Sequence, residues 1–225
     1  ESGIIAAFAI PAISNKRENR MKKVIVCSHG AMQFSSKPIR IGVCEIALRC
    51  RRLLMPMNGI LSCRKKPKMP VKAPKLALSV QYVVSQLADL PSRSLLRKWV
   101  KAALQRDAEI TLRLVDAPEG RALNRDYRGK DYATNVLTFV YDDMPAEAGL
   151  PLMGDLVFCE PVVRQEAQQQ AKPLLAHYAH LVVHGVLHLQ GYDHENDADA
   201  ECMEALETQI VMNLGYDNPY QEQTL

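Results

Sequence analysis

The sequence predicts an α+β fold, one small four-stranded sheet covered by about five helices, and three observations lead there. Charge divides the chain: residues 1–73 hold fifteen Lys or Arg and three acids, a net of +12, whereas residues 74–225 hold thirteen and twenty-two, a net of −9. Only the acidic part shows clear hydrophobic periodicity. Within it, stretches of period two come first and stretches of helical period dominate the end.

The elements follow in order. KLALSVQYVV alternates apolar and polar residues as a half-buried strand does. SRSLLRKWVKAALQ then places Leu95, Leu96, Trp99, Val100, Ala103 and Leu104 on one helical face behind a serine N-cap. AEITLRLVD alternates again through Ile110, Leu112 and Leu114, and APEGRALNRDYRGKD reads as a short helix ending at Gly129, where a left-handed cap residue is wanted. TNVLTFVYD and MGDLVFC are apolar strands separated by a loop rich in Pro, Gly and acids. PVVRQEAQQQ, PLLAHYAHLVVHGVLHL and DADAECMEALETQIVMNLG complete the helices. Residues 74–225 are therefore expected to form one domain, and residues 1–73 a basic extension of little order.

The extension excludes some classes. Its apolar run, Gly3–Ile13, is broken by Pro11 and falls short of the roughly 20 residues a membrane span needs. Basic residues follow that run instead of preceding it, contrary to a secretory signal. No membrane association is expected, and the six cysteines, none in C-x-x-C spacing, read as reduced thiols in the cytoplasm. The extension could bind RNA or serve targeting, but the chain opens on Glu1, and Met69 is where a native start is expected.

Chemistry concentrates in HGVLHLQGYDH, His184 to His194. Residues four apart on a helix lie one turn above each other, so His184 and His188 point the same way. Gly191 tolerates the left-handed conformation that ends a helix, and the turn after it can swing His194 back to the same point. Three imidazoles with a fourth tetrahedral position left for water make the arrangement of a catalytic zinc. Single buried histidines are usually hydrogen-bonded core residues, but five of the six here fall between positions 177 and 194. His177 and His180, one and two turns earlier, are expected to support the site or to be buried and hydrogen-bonded.

The spacing is that of the metzincin motif H-E-x-x-H-x-x-G-x-x-H, with one departure: Gly185 stands where metzincins carry their general base. Loss of that base removes a step worth roughly 10²–10⁴-fold, which disfavours peptide hydrolysis. Asp193 and Glu195 flank the third ligand and are either a base or capping carboxylates.

YRGKDYATNVLTF (Tyr127 to Phe139), GDLVFC (Gly154 to Cys159) and HGVLHLQGYDH, in that order and spacing, resemble the YbeY family of bacterial endoribonucleases. The resemblance covers roughly Lys75 to Tyr220. It implies a mixed four-stranded sheet, zinc held by His184, His188 and His194, and a functional arginine at Arg128. The implied activity is hydrolysis of single-stranded RNA in ribosomal RNA maturation, notably at the 3′ end of 16S, and in ribosome quality control. Ribosomal RNA and the ribosome or its proteins are then the partners, with no nucleotide cofactor. A Lewis-acidic metal and a permanently charged, bidentate arginine both suit the charge that develops on a cleaving phosphodiester. Thr134 and Asn135 are polar lining of that cleft or turn residues.

A net −9 sits awkwardly with a polyanionic substrate. Arg121, Arg125 and Arg128, three and four apart with Lys130 beside them, are expected to form a local basic face, unless a ribosomal protein recruits the chain. A metallopeptidase and a non-catalytic assembly factor stabilised by zinc are the alternatives. Three imidazoles and water also suit nickel, copper or iron.

Overall fold

The computed structural model describes residues 21–26, 73–85, 88–141 and 150–221. They form strands β1 (Met21–Val26), β2 (Leu76–Val83), β3 (Ala108–Val115), β4 (Val136–Tyr141) and β5 (Leu152–Cys159). The helices are α1 (Arg93–Ala103), α2 (Ala117–Arg128), α3 (Glu160–Gln169), α4 (Leu174–Leu189) and α5 (Asp197–Asn213).

The α+β class and the mixed sheet are as expected, but the sheet has five strands, in the order β1-β4-β5-β3-β2. The added strand is β1, which lies inside the extension expected to have little order. It runs antiparallel to β4, from Met21 opposite Tyr141 to Val26 opposite Leu137. Strands β2, β3 and β5 are mutually parallel, and β4 is antiparallel to β5. Of the six cysteines expected to be reduced, Cys159 is a free buried thiol, Cys202 is disulfide-bonded, and the other four lie outside the described residues.

Strand periodicity sorts side chains onto two faces. Leu156 and Phe158 of β5 join Leu96, Trp99, Val100 and Val183 in the larger core, while Val157 and Cys159 join Leu123 and Phe139 in a smaller one on the other side. Helices α1 and α4 cover the first face and α2 the second. The fully buried pattern of β4 follows from this cover on both faces. Burying each large apolar side chain contributes about 1.5–3 kcal/mol, so these two layers hold the sheet.

The predicted caps are present. Ser92 accepts the Leu95 N–H at 3.3 Å, and Gly129, at φ 69°, ends α2 in the left-handed region. Two close approaches seat α4 on the sheet. A Cβ at Gly154 would lie 2.2 Å from Leu189 Cδ2, and one at Gly185 would lie 2.8 Å from Leu156 Cδ2. Only glycine fits at either contact without displacing its neighbour.

Candidate metal centre

Helix α4 is buried on almost every side because it lies between the sheet, α1 and α5, which explains its nearly unbroken apolar sequence. Its end is a Schellman turn: the Gly191 N–H donates to the His188 carbonyl at 2.9 Å and the Tyr192 N–H to the Leu187 carbonyl at 3.1 Å, with Gly191 at φ 84°. The turn does two things for the site. It reverses the chain so that His194 returns towards α4, and it aims the Tyr192 carbonyl at His188, whose Nδ1–H donates to it at 2.9 Å.

His184 is held in a similar way by a different group. Its Nδ1 lies 2.8 Å from Glu207 Oε1 on α5. Burial raises the pKa of Glu207, but its contacts with His184 and His180, a hydrogen bond from each among them, prevail and hold it well below the carboxylate range. An ionised carboxylate and a carbonyl are acceptors only, so Nδ1 carries the proton on both rings and each Nε2 presents a lone pair. Those two lone pairs face each other at 2.9 Å. His194 Nε2, the third, is buried without a hydrogen-bond partner. One ring nitrogen from each residue falls within 4.8 Å of the others.

Two acceptor atoms and an unpartnered third ring nitrogen crowd one point, a conflict that a cation between them relieves. The orphaned His194 nitrogen and the opposed lone pairs of His184 and His188 therefore fit a metal ion, and the all-imidazole donor set suits a borderline-soft divalent cation. Burial pushes the His188 pKa down to about 3. That ring stays neutral at physiological pH, as a ligand must.

The other expected residues are placed as follows. His177 Nε2 lies 3.0 Å from Glu166 Oε2, which also accepts from Asn135 Nδ2 at 3.1 Å. His180 Nε2 lies 2.9 Å from Glu207 Oε2. Both are thus buried and hydrogen-bonded, and Asn135, at 2% exposure, ties β4 to α3. Asp193 accepts the His194 N–H at 2.9 Å and meets Lys23 Nζ of β1 at 2.6 Å, and Glu195 is 3.4 Å from the same ammonium. Those two carboxylates engage a lysine.

Arg128 ends α2, on the opposite face of the sheet from α4, with its Nη1 donating to Asn124 Oδ1 at 3.3 Å. No hydrogen bond or ion pair joins it to the three imidazoles among the described residues. The expected basic face is partly neutralised: Arg121 makes a two-point contact with Asp131 at 2.6 and 2.7 Å, and Arg125 meets Asp126 at 2.9 Å. These pairs are exposed and weak, yet they leave Arg128 as the arginine of the three whose partner is an uncharged amide.

Sequence reasoning missed Glu207, Tyr220 and Lys23. A signal for Glu207 exists: Met203, Glu207 and Val211 recur every four residues as the buried positions of α5, so the carboxylate occupies an apolar stripe.

A three-imidazole corner with H-x-x-x-H on a helix and the third histidine behind a glycine turn could hold one metal ion in metzincin-like spacing, here on a mixed α+β sheet. The model of the family described as Endoribonuclease YbeY matches residues 81–215. An endoribonuclease YbeY of Nitrosomonas europaea is 59% identical over 157 residues, covering 68% of this chain and 92% of that protein. Those of Nitrosospira multiformis (60% over 158 residues, 66% of this chain and 84% of that one) and Chromobacterium violaceum (56% over 163 residues, 71% and 96%) are similar. The chain belongs to the YbeY family.

Proposed function

We propose that this chain is a zinc-dependent endoribonuclease that hydrolyses single-stranded RNA, acting in the cytoplasm on ribosomal RNA precursors, including the 3′ end of 16S, and in ribosome quality control. The observation that carries the reading is the convergence of His184, His188 and His194 on one point, in a chain whose relatives are named endoribonucleases. A zinc ion held there supplies Lewis acidity towards a phosphodiester oxygen and lowers the pKa of bound water towards ~7.

The chain's own residues divide the remaining work. Glu207 and the Tyr192 carbonyl hold two imidazoles in the tautomer a cation requires. Arg128, bidentate and always charged, is assigned to the charge on the non-bridging oxygens of the bound phosphodiester. Its position at the C-terminal end of α2 makes this a role on bound substrate and not a contact with the metal ligands. Ribosome or ribosomal-protein contacts would supply the recruitment that the paired Arg121 and Arg125 do not.

Peptide hydrolysis is disfavoured by Gly185, whose Cβ position is filled by Leu156, and by the engagement of Asp193 and Glu195 with Lys23. Metal-replete protein freed of trace nuclease, incubated with single-stranded RNA and with casein, tests the reading. RNA cleavage without casein cleavage is expected, lost in His184→Ala and reduced about 10²-fold in Arg128→Ala with metal content unchanged. Equal RNA cleavage in all samples would refute it and favour a non-catalytic assembly role.

A further inference from the structure

We propose that Glu207 is the positioning residue of the metal centre: a carboxylate on α5 that presents the Nε2 of His184 to the cation and is itself held by His180 and Tyr220. The inference rests on the metal-site reading above and assigns a role to three residues outside the ligand set.

The geometry is that of a hub. Glu207 is fully buried, in a helix whose other buried positions, Met203 and Val211, are apolar. Its Oε1 takes the His184 Nδ1–H at 2.8 Å. Its Oε2 takes His180 Nε2 at 2.9 Å and the Tyr220 hydroxyl. An ionised carboxylate accepts on both oxygens and donates on neither, so it satisfies three donors at once. No other ordinary side chain of this size can do that.

The third donor reaches the hub through a second Schellman turn. At the end of α5, Gly215 has φ 93°, its N–H donates to the Met212 carbonyl at 3.0 Å, and the Tyr216 N–H donates to the Val211 carbonyl at 3.2 Å. The chain then folds back across α4 until the Tyr220 ring meets His180 edge-on, with centroids 5.2 Å apart. The C-terminal segment thus closes the hub.

The two helical ligands are supported unequally, and this makes the assignment specific. His188 leans on a neutral carbonyl and His184 on an anion. A carboxylate on Nδ1–H fixes the tautomer and raises the basicity of the opposite nitrogen more than a carbonyl does, and it sets a negative charge beside a cation whose three ligands are all neutral.

Glu207→Gln keeps the shape and removes the property, because an amide presents N–H on one edge and sets donor against donor at either His184 or the His180–Tyr220 pair. Zinc affinity, measured by competition with a chelating dye on protein matched by circular dichroism, should fall 10–100-fold. The visible spectrum of the cobalt-substituted protein should shift with it. Tyr220→Phe, which keeps the ring and loses one donor, should lose about fivefold. His177→Ala removes a buried imidazole from the same helix without touching the hub and should bind zinc as the unaltered chain does. Unchanged zinc affinity and an unchanged cobalt spectrum in Glu207→Gln would overturn the proposal. Should that variant fail to fold, unchanged affinity in Tyr220→Phe would do so, as would an equal loss in His177→Ala. Failure of the unaltered chain to bind zinc would instead sink the metal-site reading beneath it.

Discussion

Helix Leu174–Leu189 carries four imidazoles, and its two halves put them to opposite uses. In the N-terminal half, His177 and His180 spend Nε2 on carboxylates, those of Glu166 and Glu207. In the C-terminal half, His184 and His188 spend Nδ1 on acceptors and turn Nε2 to a shared point, where His194 joins them. Residue type, burial and helix are the same in both halves. The difference lies in which ring nitrogen is occupied, and that is decided by what stands opposite: α3 and the middle of α5 in one case, the Schellman turn and the hub oxygen of Glu207 in the other. A buried histidine is placed to act as a ligand when its neighbours hold the far nitrogen and leave the near one aimed at its fellows.

The contrast is broken most directly by removing a member of each half. His184→Ala should reduce bound metal from one ion per chain to none, and RNA cleavage to background, by elemental analysis and a cleavage assay. It also strips Glu207 of one of its three donors, which should cost about 1.5–3 kcal/mol, readable as a lower unfolding midpoint in denaturant. His177→Ala should retain the metal and cost about 1–3 kcal/mol, since Glu166 keeps its bond from Asn135. Loss of metal in His177→Ala would erase the distinction between the halves.

Gly185, directly after His184 in the C-terminal half, sharpens the comparison. Restoring the metzincin glutamate with Gly185→Glu forces a side chain against Leu156 and should destabilise by about 1–3 kcal/mol without conferring casein cleavage. The smallest effect is expected on the far face of the sheet, where burial pushes the Cys159 thiol up to about 11 from 9.0. An acid with a raised pKa keeps its proton longer when folded, and Cys159 is also shielded from reagent, so at pH 8 the folded chain should alkylate there at least about 100-fold more slowly than the unfolded one. The stabilising contribution of that proton is lost as pH rises from 9 to 11.

What the sequence made legible follows the range of the interactions involved. Helix caps at Ser92 and Gly129, the turn at Gly191 and the i, i+4 histidines are local, and the pattern of neighbouring residues reveals them. Strand β1 was illegible because its reason for existing is the edge of β4, far along the chain, and its own six residues sit in a basic, Pro-broken context. Glu207 was hidden because an acid in an amphipathic helix ordinarily faces water, and only the partner imidazoles on α4 explain why it does not. The basic face of α2 was overstated, since a count of arginines does not see Asp131 and Asp126 folded against them.

The claim beneath the whole account is that three Nε2 atoms share one cation. Zinc titrated into metal-free protein, with X-ray absorption at the zinc edge on the product, tests it most directly. Saturation at one ion per chain and three imidazole nitrogens at about 2.0–2.1 Å are expected, with His194→Ala leaving two. Absence of binding, or a zinc shell built from sulfur or carboxylate oxygen in place of the three imidazoles, would contradict it.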